Sequence, residues 1–159
     1  MKFERFDNKF IDITSKYHKV RKDDYKSDGL FPIVDQGQKF IGGYTDDEEI
    51  VNKDHLPIII FGDHTKIFKY VDFPFTIGAD GVKVLSLINK NDIAKYYYYY
   101  FKTLKLTNSG YSRHYKFLKE KRLPVPDKFT DQIQIANILS KAEDLINQRK
   151  KSISLLDEF

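Results

Sequence analysis

The chain has 159 residues, enough for one domain with a real core and too few for two comfortable ones. No apolar run approaches the ~20 residues that cross a bilayer, and the charged N-terminus MKFERFDNKF lacks the apolar stretch of a signal peptide, so a cytoplasmic protein is expected. Cysteine is absent, which removes disulfides and thiolate metal sites.

The net charge of +4 is unevenly spread: residues 102–128 hold eight basic against two acidic side chains, while residues 131–159 hold four against five. A basic body with a nearly neutral tail suggests an anionic partner for the body, nucleic acid being the commonest. A merely solvated lysine-rich face fits the same distribution.

In chain order, Phe6, Phe10, Ile11 and Ile13 suggest a short amphipathic element, and residues 19–24 an exposed polar loop. Leu30 to Val34 predicts a strand, with Pro32 favouring an edge or a first position. The polar loop Asp35-Gln36-Gly37-Gln38-Lys39 follows, then Phe40 to Tyr44 as strand and turn. The acidic run at 46–49 should face away from DNA. Ile58-Ile59-Ile60-Phe61 is too short for a helix and rich in β-branched residues, which predicts a fully buried strand. Gly62-Asp63 breaks that run, Lys66 to Val71 and Val82 to Leu85 read as strands, and turns are expected at 72–74 and 78–81. Polar residues on such turns are where a stiff sheet usually carries a binding surface.

Asn91-Asp92 reads as a helix cap. The run Tyr96 to Phe101 leaves helix and strand both open, and the cap favours helix. After a turn at 107–110, Tyr111, Arg113, His114 and Lys116 interleave aromatic and cationic side chains on a loop, a pattern suited to phosphate and base contact. A packed and solvated surface loop would have the same composition. Residues 131–159 predict one long helix, about 43 Å at 1.5 Å per residue. Leu139, Ala142, Ile146, Ile153 and Leu156 form a stripe with Arg149 at the intervening position, and Ile135, Ile138 and Leu145 broaden it. Such a seam is too long for one small domain to cover and wants a partner helix.

FGDHTKIFKYVDFPFTIGADGVKVL (61–85), FPIVDQGQKFIGGYTDD (31–47), TNSGYSRHYKFLKEKRLPVP (107–126) and DQIQIANILSKAEDLINQRK (131–150) closely resemble blocks of type I restriction-modification specificity subunits, in the same order. The resemblance implies an α+β fold: a compact target-recognition domain with a twisted β-sheet and short helices (1–129), then a long conserved helix (130–159) that pairs as an antiparallel coiled coil. Specificity subunits look like two such units in tandem, so this chain resembles half of one, either a natural half-length subunit or a fragment. The implied partners are double-stranded DNA, methylation subunits, restriction subunits through these, and a second copy of the chain through the stripe named above. No cofactor and no catalysis are expected.

On that reading the candidates for base or backbone contact are Gln36, Gln38, Lys39, His64, Thr65, Lys66, Tyr111, Arg113 and His114, with Lys69, Lys116 and Lys119 for phosphate. Two rivals remain. One is an interaction module that mimics a specificity subunit and titrates methylation subunits. The other is a metal-dependent hydrolase using Asp63, His64 and Asp80.

Overall fold

The computed structural model describes residues 1–106 and 113–157. Its centre is β6 (Ile58–Gly62), buried at every position. β6 lies inside a four-stranded antiparallel sheet ordered β2-β9-β6-β7, where β2 is Phe10–Asp12, β7 is Phe68–Val71 and β9 is Val82–Leu87. Side chains alternate along a strand, so β6 serves two cores at once. Ile58 and Ile60 join Val71, Val82 and Val84 on one face; Ile59 and Phe61 join Leu85 on the other. That double burial is why the run shows no polar alternation in the sequence.

The first core is closed by a second four-stranded sheet, ordered β3-β8-β4-β5. Its strands are β3 (Lys19–Val20), β4 (Phe31–Val34), β5 (Gly43–Thr45) and β8 (Thr76–Gly78). Val34, Phe75 and Ile77 fill the space between the sheets. Pro32 falls opposite Tyr44 of β5 and before pairing with β8 begins at Ile33, so its missing N–H spoils no ladder on the β8 side. Residues 19–20, expected as loop, are a strand because β8 offers a parallel edge. The N-terminal apolar residues form no single amphipathic element: β1 (Lys2–Arg5) and β2 flank a 3-10 turn that buries Phe6, and Ile11 faces out.

The second core is covered by α1 (Ala94–Thr103), α2 (Tyr115–Lys119), the antiparallel pair of β1 with β10 (Arg122–Val125), and the start of α3 (Phe129–Asp157). The tyrosine run is helical. Tyr96, Tyr99 and Tyr100 place their hydroxyls on Pro124 O, Glu143 and Arg122 O. The expected Asn91-Asp92 cap is replaced by a tertiary one. The Ile93 N–H donates to Gln132 Oε1 of α3 at 2.9 Å, and Gln132 Nε2 donates back to Asp92 at 3.1 Å.

α3 has two halves. Gln132 and Ala136 are buried against the head, and Glu143 accepts from Tyr99 Oη and Lys102 Nζ. Ile135 packs on the head's own core, which withdraws it from the pairing stripe. Beyond Glu143 every described side chain is exposed, including Leu145, Ile146, Ile153, Leu155 and Leu156.

Candidate nucleic-acid interface

Strand direction assembles the site. β3 and β4 both run parallel to β8, so the chain leaves all three at the same end of the sheet. The loops at 21–24, 35–39 and 79–81 therefore share that end. β9 starts directly after 79–81 and runs antiparallel to β6, which brings in the turn at 63–66. Asp63 then ties on the N-terminus of α2, its backbone oxygen accepting from His114 N at 2.9 Å and its carboxylate from Tyr115 N at 2.7 Å. Asp63 is thus a cap for a helix fifty residues downstream, and it is buried. Of the predicted contact residues, Tyr111 and the turn at 107–110 lie outside the described residues.

Several of the others belong to the frame. The Gln36 side chain spans two turns, accepting from His64 N at 3.2 Å and donating to Asp80 O at 3.3 Å. The Thr65 hydroxyl donates to Gln36 O at 2.8 Å. Gln36 thus spends its amide on backbone and is corrected from base reader to brace. Gly81 sits at φ +67°, a conformation only glycine takes freely, and a Cβ there would push the Gln36 amide aside. Lys66 (φ +62°) and Asp80 (φ +57°) hold left-handed conformations on the adjoining turns.

Lys69 is corrected as well. It is 3% exposed, and its ammonium donates to Asp35 O and Lys39 O, so it cannot serve a phosphate. Burial pulls its pKa below the ordinary lysine value, which the Asp35 carboxylate only partly offsets. For Asp35 itself burial works upward, but the Gly37 N–H with Lys22 and Lys69 outweighs it and holds the carboxyl below the usual range. His114 is buried and packs under the loops, with desolvation first and then Lys66 pushing its pKa down. Lys119 stands 3.7 Å from Asp7, which offsets its charge.

What remains outward is Gln38, Lys39, Thr65, Arg113 and Lys116, all exposed, with His64 and Lys66 half-buried among them. The same end carries one further exposed cation, Arg21, and beside it Lys22, whose charge is met by the Asp35 carboxylate at 3.2 Å; both lie in the stretch expected as an exposed polar loop. The signal was the short run KVRK, legible only once residues 19–20 are a strand parallel to β8. The hydrolase constellation does not form: Asp63 is committed to α2, and no three His, Asp or Glu side chains among the described residues are placed to hold a metal.

Residues 6–155 match the family described as the type I restriction modification DNA specificity domain. The chain belongs to this family. Among its relatives, the EcoR124I/EcoR124II specificity subunit of Escherichia coli is 29% identical over 150 residues, covering 83% of this chain and 37% of that protein. The type I restriction-modification S subunit from M. genitalium superposes with a TM-score of 0.73 at 20% identity, over 97% of this chain and 42% of that one. The HsdS subunit from Thermoanaerobacter tengcongensis gives 0.57 at 13% identity, over 95% and 39%. At these identities the structures establish a shared fold, and the specificity domain spans less than half the length of each relative.

Proposed function

We propose that this specificity domain reads one half of a bipartite DNA site through its loop end, and that α3 pairs antiparallel with α3 of a second copy. The carrying observation is the convergence of five separated segments (21–24, 35–39, 63–66, 79–81 and the start of α2) at one end of the sheets. Their frame is bonded internally, and amide and cationic side chains are left outward. The outward cations supply affinity through phosphates, and Gln38 and Arg113 supply reading, as expected of a protein that positions methylation subunits, and restriction subunits through these, without catalysing.

The chemistry of α3 supports the orientation. Paired antiparallel about the midpoint of Asn147 and Gln148, the stripe sets Leu139 against Leu156, Ala142 against Ile153 and Ile146 against Arg149. Paired parallel in register, Arg149 would meet Arg149 on the seam. Two heads at opposite ends of a two-fold rod would face a symmetric, interrupted site.

The absence of cysteine allows a direct test. Ala142→Cys and Ile153→Cys are oxidised separately and mixed. Disulfide-linked dimers are expected only from the mixture; dimers from either variant alone would mean parallel pairing. In the same preparation, wild-type dimer should bind duplex DNA with an affinity that falls steeply with salt. Capture of methylation subunits with no affinity for duplex DNA at low ionic strength would replace this reading with that of a mimic.

A further inference from the structure

We infer that Lys69 is a positioning residue: its buried ammonium clamps both ends of the 35–39 loop and so fixes the shape in which Gln38 and Lys39 are presented to DNA. The inference rests on the DNA-reading role proposed above.

Lys69 lies on β7 opposite Ile60, with its side chain turned into the space between the two sheets. Core position and residue type conflict there. A buried ammonium is costly unless its donors are used, and an apolar residue would pack the site as well or better. The donors are used on one target. Nζ stands 2.6 Å from Asp35 O and 2.6 Å from Lys39 O, so a single cation closes the mouth of the loop. The Asp35 carboxylate, 3.7 Å from the same nitrogen, reaches inside the loop to accept from Gly37 N at 2.8 Å. It lies where a Cβ at Gly42 would have to go, so residue 42 leaves it room. Gln36 meanwhile ties the outer side of the loop to the turns at 63–66 and 79–81. With both termini, the interior and one flank fixed, Gln38 and Lys39 stand exposed on a rigid mount. Held geometry favours the matching base pattern over others, whereas a slack loop would adapt to many.

The wild-type protein is first used to select its preferred duplex from a randomised pool. Lys69→Met and Lys39→Ala are then compared on that duplex and on a scrambled one. Lys69→Met should lose about ten-fold or more in discrimination between the two, with the salt slope of binding unchanged. Lys39→Ala should instead weaken both and lower the slope by about one. Retained discrimination in Lys69→Met, or a slope reduced as in Lys39→Ala, overturns the assignment. Hydrogen exchange covers the case in which Lys69→Met does not fold or the wild type binds no DNA. In the wild type the Gly37 amide should be protected like the amides of β6; exchange at the rate of an open loop overturns the clamp by itself. Failure of wild-type binding alongside a protected Gly37 amide removes the DNA-reading role and leaves the clamp standing.

Discussion

At the loop end of the head, Gln36, Asp63 and Lys69 spend their bonds on neighbouring backbone, while beyond Glu143 α3 carries apolar side chains that stand exposed. The contrast follows from the range of the forces. Hydrogen bonds are short and directional, so loops that meet can satisfy one another completely. Apolar burial needs area, and beyond Glu143 the described residues of the head leave α3 uncovered. The loop end therefore offers a ligand only what its frame does not need. The far half of α3 leaves its whole seam exposed.

The sharpest way to separate the regions is to truncate one apolar side chain in each. Phe101→Ala removes a fully buried ring that packs on Phe6, Phe10 and Phe68. It should cost about 3–5 kcal/mol of unfolding free energy in urea. Leu156→Ala removes a side chain that is 72% exposed. In dilute protein it should change stability by less than about 0.5 kcal/mol, and its effect should show only as weaker self-association in sedimentation. A comparable loss of stability from Leu156→Ala in dilute protein would mean that the rod folds back on the head. A smaller effect is expected at the loop end. Asp63→Ala leaves the Tyr115 N–H without its acceptor and should cost about 1–3 kcal/mol, most of it recovered by Asp63→Asn, which keeps the oxygen. Equal losses in both variants would place the contribution in charge rather than in the cap.

How far the sequence spoke depended on how local each cause was. Ile58 to Phe61 announced a buried strand because β-branched residues in an unbroken apolar run have few other uses. α3 announced itself through its spacing, and the tyrosine run was read as helix from a cap that is not there, since Gln132 supplies it from α3. The site was legible as loops but not as roles. Nothing near Lys69 in the chain says that its ammonium meets the carbonyls at 35 and 39, and nothing near Asp63 says that it caps α2. Gln36, His114 and Lys69 carried side chains suited to DNA and are used inside the protein, because long-range contacts decide which polar groups are left over. Arg21 and Lys22 show the converse: a two-residue strand is too short to leave a pattern in the sequence, yet it carries both to the loop end.

The smallest effect bears on how the loop end is held shut. His114 is buried beneath the loops, and its Nδ1 has no hydrogen-bond partner among the described residues. Desolvation, then the nearby Lys66 charge, lowers its pKa below the usual 6.5, with Asp63 opposing them. A histidine with a depressed folded-state pKa takes up its proton more readily when unfolded. Its contribution is therefore complete above about pH 6.5 and is lost as the pH falls through the folded value. Unfolding free energy measured between pH 7.5 and about pH 5 should fall by less than the Asp63→Ala loss, and His114→Gln should flatten that part of the curve. Because His114 N donates to Asp63 O, the amide at 114 should lose hydrogen-exchange protection over the same interval, while the amides of β6 keep theirs. A pH profile left unchanged by His114→Gln would mean that the ring titrates alike in the folded and unfolded chain, the Asp63 carboxylate cancelling desolvation and the Lys66 charge.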